Sequence, residues 1–212
     1  MTMEIPGVTS STLVTLAEAK AHLRVDDTES DDLITAVIYS AQEHVQAMTN
    51  LEFTNTTRTL KLDRFPGGKE MWDISEWAPA LINEDLMGRI RIKYAPLVSV
   101  TSITYYDGDN AQQTLASTNY EVNTWIKPGT IKLAKDGTWP TLYEREDAVT
   151  ITYVAGFGAN TTDVPYQIKQ AMLLLIGAWY EFREAIVQGQ APKDIPWGAR
   201  ALLASFTTVE RP

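Results

Sequence analysis

Few side chains of this sequence stand at the spacing that acid–base or metal chemistry requires. The chain has two histidines, His22 and His44, and neither has a second histidine or a carboxylate at the spacing of a metal motif. We expect both to be ordinary helical residues. The chain has no cysteine, which excludes disulfide scaffolds, thiolate catalysis, Cys-ligated zinc and iron–sulfur chemistry.

Carboxylates are the next candidates. A cluster between residues 26 and 32 could hold a hard cation, but it lacks the spacing of a calcium-binding loop, and a solvated turn before a helix is the favoured interpretation. Glu144, Glu146 and Asp147 could supply a glycosidase pair, yet nothing in the sequence places two of them across a cleft. The cluster between residues 26 and 32 consists of Asp26, Asp27, Glu29, Asp31 and Asp32.

Two glycine-rich stretches fail as phosphate-binding loops. Gly67-Gly68-Lys69 is followed by Glu70, where a phosphate loop needs Ser or Thr. Gly156-Phe157-Gly158 has Thr161 in place of the third glycine of a dinucleotide loop. Both stretches indicate turns. The sequence therefore predicts no enzyme, no cofactor and no metal site.

Charge is distributed unevenly along the 212 residues. The net charge is −9, and residues 1–53 contain nine acids against Lys20 and Arg24. A protein that grips phosphate backbones normally presents a basic face, so DNA gripping is disfavoured. An acidic surface does suit a channel through which DNA slides.

No membrane segment is expected. The N-terminus lacks the pattern of a signal peptide, and the longest apolar run, residues 171–180, is far shorter than the roughly 20 residues of a membrane span. We expect a soluble protein that is not secreted through a cleaved signal.

Helical periodicity occupies both ends of the chain. Thr15 and Glu18 form a capping box that predicts a short first helix. Ser30 and two early acids begin a second helix, which the apolar spacing extends to about Met48. Pro165 and Pro196 each suit the first position of a further helix.

The middle of the chain changes to a period of two. Residues 89–94 alternate strictly between basic and apolar side chains, as a half-buried strand does. Further strands are predicted near residues 60–62, 98–106, 120–122, 130–133 and 148–154, separated by Gly- and Pro-containing turns. Residues 70–87 are predicted to form a long loop.

This order predicts an α+β fold. Two N-terminal and two C-terminal helices, residues 1–53 and 163–212, are expected to pack as one discontinuous helical domain. Residues 54–162 form an inserted small antiparallel β-sandwich or barrel.

Two surfaces could contact other molecules. The third helix is apolar around much of its circumference, which indicates either a subunit interface or burial within its own subunit. The stripe Arg89, Arg91, Lys93 is either a solvated strand face or a contact with the acidic N-terminal part of a neighbouring copy.

The order of elements resembles the head–tail connector (adaptor) proteins of tailed bacteriophages. Residues 13–25, LVTLAEAKAHLRV, resemble the opening helix of that family, and Asp31-Asp32-Leu33-Ile34 its second helix. Residues 96–107 and 149–158 resemble its strands and its Gly-Phe-Gly ending. Residues 164–184 and 195–203 resemble its closing helices. The far C-terminus departs from the family pattern at Ser205-Phe206-Thr207.

This resemblance implies a structural role in the virion, without chemistry. Such proteins form a ring, commonly a dodecamer, that docks under the portal protein, extends the DNA channel and receives a stopper or tail protein. DNA passes without sequence-specific binding. On this hypothesis Leu174, Trp179, Phe182, Arg89 and Arg91 lie at the subunit interface. Asp26, Asp27, Asp31 and Asp32 line the channel. The portal-binding residues are Trp197, Arg200, Leu203 and Phe206.

One alternative of another class stays open. A non-viral binding module could display a β-sandwich in which Trp72, Trp77 and Trp125 form an aromatic platform for a carbohydrate or a protein ligand.

Overall fold

A computed structural model of the chain describes residues 12–66, 88–135, 137–182 and 196–207. These residues form two compact units. We call residues 55–156 the β unit, and residues 12–54 with 157–207 the helical unit. The predicted loop at residues 70–87 lies outside the described residues.

The described residues of the helical unit form four α-helices: α1 (Leu16–Leu23), α2 (Asp31–Thr49), α3 (Tyr166–Glu181) and α4 (Trp197–Leu203). The predicted capping box at α1 is confirmed, because Thr15 Oγ1 accepts from the Glu18 amide at 3.3 Å and Glu18 Oε2 accepts from the Thr15 amide at 3.0 Å. Ser30 is the N-cap residue of α2, as predicted, but its side chain makes no capping hydrogen bond.

Apolar residues at helical spacing build the core of this unit. Ile34, Ile38 and Val45 of α2 are buried, as are Ile168 and Leu175 of α3. Both α2 and α4 pack against α3. The unit therefore has its own apolar interior, as an amphipathic helix requires.

The β unit contains seven described strands in two antiparallel sheets. The four-stranded sheet has the order β1-β7-β3-β4, with β1 Thr56–Leu62, β3 Leu97–Tyr106, β4 Gln112–Thr114 and β7 Val149–Ala155. The three-stranded sheet has the order β2-β6-β5, with β2 Arg89–Arg91, β5 Tyr120–Asn123 and β6 Thr130–Leu133. A short 3-10 turn, Ser117–Asn119, precedes β5.

One hydrophobic core joins the two sheets. Leu60, Ile151 and Ile103 are opposite one another on β1, β7 and β3, and all are fully buried. Ile90 and Ile131 of the smaller sheet belong to the same cluster. The α+β class is thus confirmed, whereas closure of the strands into a sandwich or barrel stays a prediction.

The last residues of the predicted insertion lie elsewhere. Residues 157–162 belong to the helical unit, because the Phe157 ring packs edge-on against Phe206 and its amide donates to the Phe53 carbonyl. The β unit therefore ends at Gly156 rather than at residue 162. The assignment of the two units as domains stays a prediction.

Candidate functional site: surfaces for assembly

Hydrogen bonds from Lys20 of α1 fix the acidic turn between α1 and α2. Arg24, in the left-handed conformation at φ 58°, ends α1. Lys20 Nζ then donates to the Asp27 carbonyl and to Asp31 Oδ1, both at 2.6 Å. Asp26, Asp27 and Asp32 are exposed. With Glu29, which is exposed too, the turn presents four carboxylates to solvent, while Asp31 is half-buried in an ion pair.

The predicted interface residues of α3 differ in their surroundings. Leu174 approaches Gly198 of α4, where an added Cβ would lie 3.4 Å from Leu174 Cδ1. Trp179 packs edge-on against His44 of α2, with ring centroids 5.5 Å apart. Phe182 is 44% exposed. Leu174 and Trp179 therefore have partners within their own subunit, which favours intrasubunit packing for both side chains, and Phe182 is the most open of the three.

The basic stripe is only partly on a strand, because β2 covers Arg89–Arg91 of the predicted strand 89–94 and Lys93 lies beyond its end. Arg89 and Arg91 are exposed on β2, whereas Ile90 between them is buried. Arg89 is opposite Lys132 of β6, which forms a 2.8 Å ion pair with Glu121 of β5. Among the described residues, the outward face of the small sheet therefore carries more basic than acidic charge.

The proposed portal-binding residues fall into two groups. Trp197 is 84% exposed, and Arg200 is exposed as well. Leu203 is fully buried in the helical unit, like Ala199. Its predicted place in a docking surface is therefore wrong, because the side chain is on the core side of α4. Phe206 is half-buried against Phe157.

A groove that the sequence did not predict lies among α1, α3 and α4. Its volume is about 440 Å³, and Glu18, Leu173 and Leu202 line it together with Tyr166, Gln167, Lys169 and Gln170. Positions 166, 169, 170 and 173 share one face of α3. Lys169 donates to Glu18 Oε1 at 2.5 Å, which, with the hydrogen bonds from Thr15, lowers the pKa of Glu18 below its usual value.

The tip of the β5–β6 hairpin is a second unpredicted surface feature. Trp125 is 94% exposed, and the neighbouring Ile126 is exposed too. The Trp125 amide donates to Asn123 Oδ1 at 3.0 Å, so the turn itself is ordered. Trp72 and Trp77, the other members of the predicted aromatic platform, lie outside the described residues.

The carboxylates considered for chemistry take structural positions. Asp107 is the hairpin-turn residue that its sequence predicts: it accepts from Gln113 Nε2 and from the Ala111 and Asp109 amides, and these bonds lower its pKa. Asp147 Oδ2 pairs with Lys61 at 3.5 Å. Within the described ranges, no three His, Asp or Glu side chains are grouped as a metal site.

No α-helix within the described parts of the chain has the length and hydrophobicity of a membrane span.

A family comparison bears on these surfaces. Residues 13–71 match the phage gp6-like head–tail connector protein family. The resemblance drawn from the sequence is thereby confirmed for the segment that runs from α1 through β1. This connector family is structural rather than enzymatic. No curated protein matches the chain.

Solved structures extend the likeness to the whole chain. A chain in the "neck of empty GTA particle computed with C6 symmetry" superposes with a TM-score of 0.74 at 20% identity, covering 100% of this chain and 98% of that chain. The virion of the native gene transfer agent (GTA) particle gives 0.70 at 20% identity, and the native GTA neck computed with C12 symmetry gives 0.67 at 19%, both with the same coverage. At these identities the likeness establishes a shared fold.

Proposed function

We propose that this protein is a head–tail connector of a virion neck, which forms a ring under the portal, extends the DNA channel and docks a stopper or tail protein. The observation that carries the proposal is the connector-family match of residues 13–71. The shared fold over the full chain with proteins of GTA necks supports it.

The ring is proposed to be a dodecamer, for which the C12 symmetry of one such neck is the support. Light scattering after size exclusion, from dilute to concentrated protein, tests this. A closed species of twelve 23.6-kDa chains is expected. A chain that stays monomeric alone and with portal-bearing heads would refute the ring.

Subunit contacts in the ring are proposed to be heterologous, with a different surface on each side of the interface, because such contacts close into rings. Arg89 and Arg91 contribute the basic side and Phe182 an apolar contact. Reversing both arginines to glutamate should weaken assembly, and the difference from wild type should shrink at high salt as charges are screened. Assembly of R89E/R91E at wild-type concentration would remove these residues from the interface.

The channel wall is proposed to include the acidic turn. Exposed carboxylates repel DNA phosphates, so the duplex can slide without adhering. The variant D26K/D27K/D32K leaves the Lys20–Asp31 pair intact and should slow DNA ejection from particles whose rings still assemble. Asp31 is left unchanged in this variant, because reversing its charge would also break the ion pair with Lys20 and destabilise the helical unit. The control E144K/E146K reverses exposed carboxylates of the β unit and should eject DNA normally.

The portal contact is proposed to use Trp197, Arg200 and the chain that follows α4. Trp197→Ala should reduce capture of the connector by portal-bearing heads while leaving the ring intact, since a large exposed Trp is a typical interface anchor. Normal capture by both this variant and Arg200→Ala would move the portal contact to another surface.

A further inference from the structure

The β5–β6 hairpin presents an apolar tip that its own subunit leaves uncovered. Trp125 and Ile126 stand at the turn, and Val122 precedes them on β5; all three are exposed. An indole is the largest apolar side chain, and Trp is enriched where it anchors an interface. A single exposed Leu or Val needs no partner, but an exposed indole with an exposed Ile beside it at a turn indicates one.

The base of the hairpin is fixed, so the tip is held in place. Gly129 is buried, and its carbonyl accepts from the Ile92 amide at 2.8 Å. A Cβ at this glycine would lie 2.6 Å from Leu97 Cβ. The turn thus begins with the Asn123–Trp125 hydrogen bond and ends against β3, which lowers the entropic cost of binding through Trp125.

The helical unit offers a receptor of fitting chemistry. The groove on α3 has an aliphatic floor from Leu173 and Leu202 and an aromatic rim from Tyr166, which is 83% exposed. Its volume, about 440 Å³, lies within the range of about 300–1,000 Å³ at which proteins bind side-chain-sized or larger groups.

Charge favours an encounter between the small sheet of one copy and the helical unit of another. On the described part of the small sheet, Arg89, Arg91 and Lys132 stand against Glu121, and Lys127 lies in the turn beside Ile126. In the full sequence, residues 12–54 and 157–207 hold twelve acidic and six basic residues. Surfaces of opposite net charge steer association and disfavour the like-charged pairing.

We propose that Trp125 and Ile126 of one copy insert into the groove lined by Tyr166, Leu173 and Leu202 of a second copy. Projection and groove lie on different units, so the contact is heterologous and each copy can offer both partners at once. The inference rests on the ring proposed above and names a contact within it.

Disulfide cross-linking tests the contact directly, because the chain contains no cysteine. Thr124→Cys keeps the indole, and Gln170→Cys stands on the exposed rim of the groove. Mixed and mildly oxidised, the two single-cysteine variants should give covalent dimers that neither gives alone. The double variant should give a ladder of linked chains. As a control, Thr118→Cys, exposed elsewhere on the β unit, should not link to Gln170→Cys.

Loss of either partner should impair assembly. Trp125→Ala is expected to raise the concentration needed for half-assembly by about tenfold or more, the effect of losing an interface anchor. Gln170→Trp, which fills the groove from an exposed position, should do the same. Tyr143→Ala removes an exposed aromatic side chain elsewhere on the β unit and should leave ring assembly unchanged. Unaltered melting temperatures would show that each variant is folded.

Three results would overturn the inference. If wild type and Trp125→Ala assemble alike and no cross-link forms, the contact is absent while the ring stands. If Trp125→Ala forms rings but no longer holds the stopper or tail protein, the tip binds that component instead of a second copy. If wild type never oligomerises, the proposed ring itself fails and the contact with it.

Discussion

The two units are built in different ways and differ in net charge. The β unit is built from strands distant in sequence that share one core. The helical unit is built from amphipathic helices. Each unit also contains ion pairs, such as Lys20 with Asp31 in the helical unit and Lys132 with Glu121 in the β unit. Residues 55–156 hold eleven basic and thirteen acidic residues, whereas residues 12–54 with 157–207 hold six and twelve. Most of the net charge of −9 therefore lies in the helical unit, and the β unit is close to neutral.

The largest expected effect lies in the centre of the β unit. Ile151→Ala removes the middle of the row Leu60–Ile151–Ile103 and should lower the free energy of unfolding by about 2–5 kcal/mol, as large-to-small core changes do. Urea unfolding measures the loss. Val98→Ala, at an exposed position of β3, should cost under about 0.5 kcal/mol. Equal losses would contradict the shared core.

Gly129→Ala tests the fixed base of the hairpin. The new methyl would overlap Leu97, so we expect a loss of about 1–3 kcal/mol from overpacking. Gly108→Ala is the matched control, because nothing lies within 4 Å of an added Cβ there. A Gly129→Ala variant as stable as its control would mean that the turn can shift and that the tip is not held.

At the start of α1, Thr15→Ala removes the cap that Glu18 completes. The expected cost is about 1 kcal/mol, because an N-terminal amide loses its acceptor. Thermal unfolding reports it, and Thr15→Ser, which keeps a hydroxyl, should restore most of the stability. Failure of serine to do so would show that the methyl packing of Thr15 matters more than the cap.

The smallest effect depends on pH. Since the pKa of Glu18 is lowered in the folded state by Lys169 and by the Thr15 bonds, its carboxylate stabilises the protein above the ordinary value of 4.5. That contribution disappears as pH falls through the lowered value. Glu18→Gln should therefore unfold more easily than wild type at neutral pH, by under about 1 kcal/mol for this exposed pair.

The matching measurement is urea unfolding of both proteins at neutral and strongly acidic pH. The curves should differ at neutral pH and converge once Glu18 is protonated. A difference that persists unchanged in acid would assign the effect to packing around the groove instead of to the ion pair.

Local signals predicted much of the fold. The Thr15–Glu18 capping box and the proline before each C-terminal helix predicted elements that the structure contains. The alternation of residues 89–94 predicted a strand of which the structure contains Arg89–Arg91. Each of these signals involves residues that are close together in the sequence, so a single sequence is enough to recognise it. Strand β4, Gln112–Thr114, was missed because three exposed polar residues carry no hydrophobic period.

Surfaces were harder to predict because they depend on which face packs inward. Leu203 belongs to an apolar helix and was assigned to docking, yet its face of α4 is buried. Leu174 and Trp179 have neighbours on α4 and α2 that only the tertiary fold supplies. The groove on α3 combines residues from three helices distant in sequence, and Trp125 is one Trp among six until its exposure is known.

The pairing of β1 with β7 has a consequence for how the helices find each other. Thr56 is opposite Ala155, so the two ends of the β unit lie one strand spacing, about 5 Å, apart. Once β1 and β7 have paired, the segment before β1 and the segment after β7 start close together, although the β unit separates them in sequence. The folding of the β unit offsets the conformational entropy that is lost in closing this long loop. Thereafter α2 and α3 meet almost as neighbours in sequence would.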